Sequence, residues 1–221
     1  MTADSNKTIF LPKSIEVDGQ EFKYAIYVPP TYDPKTPQPT IIFLNGHGEC
    51  GTDGMLQTTQ GIGNAVKANP EKWPFLIIFP QKQVGDEKWE DEESMVLAIL
   101  GRTREEYNID DSRLYLTGIS QGGHGTWAIG SRHPELFAAI APICGWGDEK
   151  IAAGLVNMPI RAFHGDIDSA VPVQESLDME NRLKAAGGSC DLTIYPGIDH
   201  NSWDKAYGEE NLGEWFLQHK K

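Results

Sequence analysis

Gly118-Ile119-Ser120-Gln121-Gly122 follows the expected strand 113–117 and opens a stretch of helical character, 123–131. A serine in a tight strand-to-helix turn is held in a strained backbone conformation with its hydroxyl exposed. Backbone passes so close on either side that only glycine fits the flanking positions. A serine hydroxyl is a weak nucleophile until a base takes its proton. The motif therefore demands an acid after a later strand and a histidine after the last one. Both are present. Run 160–163 leads into His164-Gly165-Asp166-Ile167-Asp168, and run 192–195 leads into Pro196-Gly197-Ile198-Asp199-His200. The expected set is Ser120 as nucleophile, His200 as base and later proton donor, and Asp168 as the group that fixes the imidazole. Asp166, two residues earlier, is the rival acid. Asp199 is badly placed to reach the ring of its own neighbour.

Attack on a carbonyl puts charge on its oxygen, and backbone N–H groups must receive it. One donor is the residue after the nucleophile, Gln121. The second is expected from the glycine-rich loop after run 41–44, Asn45-Gly46-His47-Gly48-Glu49-Cys50-Gly51, with the His47 N–H as the candidate. Trp89, Trp146 and Trp203 fall on expected loops at the C-terminal ends of strands, where ligands bind. They are candidate pocket walls, with core packing as the competing reading. Glu49 reads as a solvated carboxylate near the pocket mouth. His164 reads as a satisfied residue at a strand end, His124 as a packing or pocket-edge residue, and His133 and His219 as helix-end or surface residues. No paired ligand spacing appears, so neither a metal nor a cofactor is expected.

Strands and helices must alternate to place these groups. Runs 41–44, 75–79, 114–116, 137–143, 160–163 and 192–195 are short and nearly all apolar, as strands buried on both faces require. Helical spacing separates them: Val96, Ile99, Leu100 and Tyr107; Met179, Leu183 and Ala186, ended by Gly187-Gly188; and Leu212, Trp215, Phe216 and His219. The implied fold is α/β, a mostly parallel sheet covered by helices on both faces. Strand pieces at 9–11 and 15–17, the Asp18-Gly19 turn and the alternating Phe22, Tyr24, Ile26 and Val28 add an antiparallel N-terminal entry.

The chain has 221 residues, with 19 Lys plus Arg against 32 Asp plus Glu, a net charge of −13. Residues 1–221 read as one domain. So acidic a chain is not expected to bind nucleic acid or an anionic membrane surface. Cys50, Cys144 and Cys190 cannot all pair and form no CxxC, so a disulfide framework is not expected. Residues 1–8 are polar with no apolar leader core, which makes the cytoplasm the default location. No apolar run approaches the ~20 residues a membrane-spanning helix needs.

The motifs together resemble the α/β-hydrolase superfamily. Within it they resemble the compact serine esterases grouped with phospholipase/carboxylesterases, feruloyl-esterase-like and polyhydroxybutyrate-depolymerase-like proteins, a branch often labelled "predicted peptidase". The stretches that carry the likeness are Phe43-Leu44-Asn45-Gly46-His47-Gly48-Glu49, Phe79-Pro80-Gln81, Tyr115 through Trp127, Phe163 through Pro172 and His200-Asn201-Ser202-Trp203. The resemblance implies Asp168 over Asp166, because the acid stands three residues before the Val171-Pro172 pair. It implies His47 and Gln121 as oxyanion donors. Asn45 departs from the histidine more usual before that glycine. Only residues 146–159 lie where such folds insert a lid, too few for a cap domain, so an open site is expected. The implied activity is hydrolysis of short-acyl or exposed carboxylic esters, small or displayed on a polymer. A peptidase, amidase or acyltransferase using the same triad is the alternative.

Overall fold

The computed structural model describes residues 9–221; residues 1–8, read above for a leader, lie outside the described residues. Eight strands of the described residues form one sheet in the order β1-β2-β4-β3-β5-β6-β7-β8. They are β1 (Phe10–Val17), β2 (Gln20–Tyr27), β3 (Gln38–Leu44), β4 (Leu76–Pro80), β5 (Ile109–Ile119), β6 (Ala139–Ile143), β7 (Arg161–Gly165) and β8 (Asp191–Tyr195). From β3 onward every pairing is parallel, while β2 runs antiparallel to both β1 and β4. This is the expected sheet with its antiparallel entry. The β1–β2 turn works because Asp18 and Gly19 both take positive φ, 51° and 81°, the conformation a two-residue hairpin turn requires.

Among the described residues seven α-helices cover the sheet: α1 (Ile62–Ala68), α2 (Glu93–Glu106), α3 (Gln121–Arg132), α4 (Glu149–Gly154), α5 (Gln174–Ala186), α6 (Trp203–Gly208) and α7 (Leu212–Leu217). Side chains alternate across a strand, so each central strand feeds two cores. Ile42, Leu44, Ile78 and Leu116 pack with Val96, Ile99, Trp127, Met179 and Leu183 from α2, α3 and α5. Ile41, Phe43, Ile77, Phe79 and Tyr115 pack with Ile62, Val66, Tyr207, Leu212 and Phe216 from α1, α6 and α7. Among the described residues no helix is long and apolar enough to cross a membrane.

The differences from the sequence expectations are local and have causes. β5 begins at Ile109, five residues before the apolar run at 114, where Ile109 pairs with Gln38 of β3 and Gln38 N–H donates to Asn108 O at 2.8 Å. β6 begins at Ala139, later than the run at 137 suggested. Tyr107 caps α2 from outside and meets Tyr32 edge-on at 5.8 Å. Ala186 closes α5 at the surface before Gly187, at φ 92°, ends it. Residues 146–159 hold only α4, which packs against α3 and α5.

The tightest approach in the fold joins β3, β5 and α3. A Cβ at Gly122 would overlap the carbonyl oxygen of Leu44, and one at Gly118 would overlap that of Gly122. Both obstacles are backbone and cannot swing aside. Gly122→Ala is expected to lower the free energy of unfolding by about 3 kcal/mol in urea titration. Gly48→Ala, where nothing lies within 4 Å of the added carbon, is expected to change it by less than about 0.5 kcal/mol.

Candidate active site

Ser120 stands between the end of β5 and the start of α3 with φ 54° and ψ −115°, a conformation that costs a side-chain-bearing residue of order 1–3 kcal/mol. The surroundings enforce it. The Ser120 N–H donates to Ile143 O at 2.9 Å, and Ser120 O accepts from His124 N–H at 3.0 Å. The hydroxyl lies 2.9 Å from His200 Nε2, and His200 Nδ1 lies 2.7 Å from Asp168 Oδ2. A carboxylate accepts at Nδ1, so the proton is held there and Nε2 is left to face the hydroxyl.

The three aspartates divide the work. Asp168 has a fully buried side chain, and its Oδ1 accepts from the N–H groups of Ala170 at 2.9 Å and Val171 at 2.8 Å. Asp166 is exposed and accepts from Gly197 N–H at 2.7 Å, closing the turn after β8. Asp199 accepts from the N–H of Ser169 at 2.7 Å and of His200 at 2.8 Å, and these bonds pull its carboxyl below the usual range. Asp166 and Asp199 thus hold the two loops together, and Asp168 alone meets the ring.

His164 is satisfied, as expected, but it also touches the acid. Its Nε2 lies 2.8 Å from Val171 O and 3.2 Å from Asp168 Oδ2, so that nitrogen carries the proton. Nδ1 accepts from the Ser176 hydroxyl at 2.7 Å. Burial pushes the His164 pKa down. The ring beneath Asp168 is therefore a neutral donor that leaves the carboxylate's charge to His200.

The loop after β3 is rigid. Residues His47–Glu49 form a 3-10 turn. The Asn45 amide donates to Gly46 O at 2.7 Å, and the Trp89 indole donates to Asn45 O at 3.0 Å. His47 opens this turn and Gln121 opens α3, so helix geometry gives neither N–H an internal acceptor. Glu49 differs from the solvated carboxylate expected. It is half-buried, and burial raises its pKa against the opposing bonds from the Gly46 and Glu49 N–H groups.

The three tryptophans separate. Trp89 is 0 % exposed. It is a core residue whose ring fills the space left by Gly125, and it also lines the cavity beside Gln121. Trp146 is half-buried and stacks on His124 at 4.7 Å and 10°. His124 is fixed in turn by Trp146 O at 2.9 Å and Glu90 Oε1 at 3.0 Å. Trp203 meets His200 edge-on at 5.4 Å and 88°. A cavity of about 190 Å³ lies beside Gln121, between Trp146 and the 86–88 loop and backed by Trp89.

Sequence reasoning left Cys144 unassigned. It follows β6 with φ 41°, and its sulfur lies within 4.8 Å of ligand atoms of Asp168 and His200. Burial pushes this thiol up to about 12, and the other two members are already hydrogen-bonded to each other. The cluster is two members of the triad, Asp168 and His200, beside a protonated thiol, an unfavourable donor set for a metal.

Comparison with known proteins follows the same lines. A family profile described as "Putative esterase" matches residues 15–195, a span that includes Ser120 and Asp168 and ends before His200. A "Putative carboxymethylenebutenolidase" of Escherichia coli O157:H7 is 28% identical over 133 residues, covering 50% of this chain and 48% of that protein. The chain thus spans about half the length of this curated relative. The crystal structure of a thermostable esterase is 33% identical with a TM-score of 0.88, covering 96% of this chain and 64% of that one. A ferulic acid esterase of Anaeromyces mucronatus, 18% identical with a TM-score of 0.70, covers 95% of this chain and 92% of its own and shares the fold. The fold is that of the α/β-hydrolases.

The geometry separates the two candidate acids by experiment. Asp168→Asn is expected to lower kcat for an activated ester by about 10³–10⁴-fold, because the wrong tautomer would face Ser120. Asp166→Asn is expected to stay within about fivefold of the parent, since it loses one turn contact. Steady-state kinetics on both variants check this.

Proposed function

The chain belongs to the esterase family, and from that premise we propose that it is a serine carboxylesterase acting on short-acyl or exposed carboxylic esters through an acyl-enzyme. The observation that carries the reading is the unbroken path from Ser120 Oγ to His200 Nε2 at 2.9 Å and from His200 Nδ1 to Asp168 at 2.7 Å, set on a strained turn.

Ser120 Oγ attacks the ester carbonyl carbon as its proton passes to His200 Nε2. The carbonyl oxygen takes up negative charge facing the N–H groups of Gln121 and His47. When the tetrahedral intermediate collapses, the bond to the alcohol breaks and His200 returns the proton to the departing oxygen. Water then repeats the sequence at the acyl carbon. It gives a proton to His200, releases the acid and restores the Ser120 hydroxyl. Asp168 holds the Nδ1–H throughout. Residues 9–221 carry every group in this scheme, in keeping with a single domain. No step calls on a metal or an organic cofactor.

Two features support the substrate class. The connection that holds α4 is too short to roof the site, so a long acyl chain would stay in water and gain little from binding. The cavity of about 190 Å³ beside Gln121 suits a ring-sized or short-chain group. The net charge of −13 favours neutral esters over polyanionic ones. An ester displayed on a polymer can reach an open site of this kind as well as a small one can.

Ser120→Ala is expected to lower ester turnover by at least about 10⁴-fold and to abolish labelling by a fluorophosphonate probe. Retained turnover in the purified variant would overturn the mechanism. On the wild type, a panel of nitrophenyl esters is expected to peak at short acyl chains, and blocked-peptide amides are expected to be poor substrates. A maximum at long chains, or faster amide turnover, would sink the substrate assignment.

A further inference from the structure

Lys82 lies just beyond the end of β4 and is 0 % exposed. A buried ammonium is costly unless each of its donors is met, and here each one is. Nζ donates to Gln121 Oε1 at 2.7 Å, to Gly85 O at 3.3 Å and to Glu87 O. Three acceptors for one nitrogen match the three N–H bonds of the protonated amine, because a neutral amine has only two. Among the described residues, no ion pair involves Lys82. Its charge is therefore cradled by carbonyl dipoles and not cancelled by a touching carboxylate.

The same residue holds the segments that carry both candidate oxyanion donors. Its backbone N–H donates to Asn45 Oδ1 at 3.3 Å, and its carbonyl accepts from Gly51 N–H at 3.0 Å. Asn45 and Gly51 flank the turn that begins at His47. Its side chain grips the amide of Gln121, whose own Nε2 donates to Gly85 O at 2.8 Å. Gly85 lies against the His47 ring, where any Cβ would collide with it.

We propose that Lys82 is the positioning residue of the oxyanion pocket: it clamps the His47 loop and the Gln121 residue into one frame and sets a buried positive charge behind them. This rests on the acyl-enzyme reading above and names a regulator of the same site. A preorganised charge in a water-poor setting acts on the transition state more than on the neutral ground state. Its loss should therefore lower kcat and spare KM.

The groups facing Lys82 are the Cys50 thiol from the His47 loop and the carboxylates of Glu87, Glu90 and Glu92. Burial lowers the Lys82 pKa from its ordinary 10.5, and Cys50 and the carboxylates oppose that shift. The sign follows. The ammonium is intact at neutral pH and is lost as pH rises through the lowered value. The kcat for a neutral ester should therefore fall on the alkaline side, before an ordinary lysine would titrate.

The test is the pH profile of kcat and KM for wild type, Lys82→Met and Cys50→Ser, with Tm and far-UV circular dichroism on each. Lys82→Met is expected to lower kcat by about 10–100-fold, to change KM by less than about threefold, and to lack the alkaline limb. Cys50→Ser is expected to keep that limb in place. Binding of a boronic acid, which becomes a tetrahedral anion on Ser120, should weaken in Lys82→Met by the same factor as kcat. Wild-type kcat in Lys82→Met overturns the proposal. So does a reduced kcat with the alkaline limb unchanged, which would mark a merely structural lysine, or a limb that disappears in Cys50→Ser. If Lys82→Met does not fold, the wild-type profile decides alone: a kcat that falls no earlier than an ordinary lysine titrates, while the fold persists, overturns it. An inactive wild type, or an active Ser120→Ala, would instead strike the acyl-enzyme reading.

Discussion

The approach of α3 to the end of β3 governs the rest of this structure. The Leu44 carbonyl occupies the space where a side chain at position 122 would stand. Glycine there lets the helix start directly over the strand, and the chain must then turn so sharply that Ser120 takes φ 54°. One steric fact thus exposes the hydroxyl, sets the first N–H of α3 beside it, and brings the loop after β3 within reach of the same point. The strain at Ser120 survives because contacts on every side specify it.

A second layer of order lies in how the acidic loops are built. Asp168, Asp166 and Asp199 have the same side chain and sit within 34 residues, yet only one meets His200. Backbone N–H groups make the difference. Asp166 and Asp199 spend their oxygens on turns at the surface, whereas Asp168 is held by Ala170 and Val171 and underlain by the neutral His164 ring. The carboxylate is thereby fixed in place without a competing cation, and the imidazole of His200 is the cationic partner that can form beside it. The scaffold beneath supplies rigidity: two apolar cores, one on each face of the sheet, lock the strand ends from which these loops rise.

The surface and the interior carry opposite electrostatic characters at the site. The chain is strongly acidic overall, and Asp86, Glu87 and Glu90 gather around the Trp146 side of the cavity. Beneath them lies Lys82, cradled by carbonyl oxygens. The rim is thus mostly acidic, with Lys88 among its carboxylates, and it stands over a cation whose nearest neighbours are carbonyl dipoles.

The sequence by itself determined the alternation of strand and helix, the antiparallel entry and the order of Ser120, Asp168 and His200. These are legible because they rest on local rules: apolar runs for strands buried on both faces, glycine at a crowded turn, a polar pair after a strand end. The tertiary structure alone decided which neighbours these residues keep. Trp89 and Trp146 both read as loop tryptophans and both line the cavity, but one packs into the core under Gly125 and the other stacks on His124. Asp166 and Asp168 were separable by resemblance and became distinct in geometry through N–H groups that no spacing reveals. Lys82 gave no signal at all, since a lysine after an apolar run is an ordinary surface residue in sequence. Its burial depends on carbonyls from positions 85, 87 and 121 converging on one point. Burial and convergence belong to the packed chain, because they arise from segments far apart in sequence, and local pattern cannot encode them.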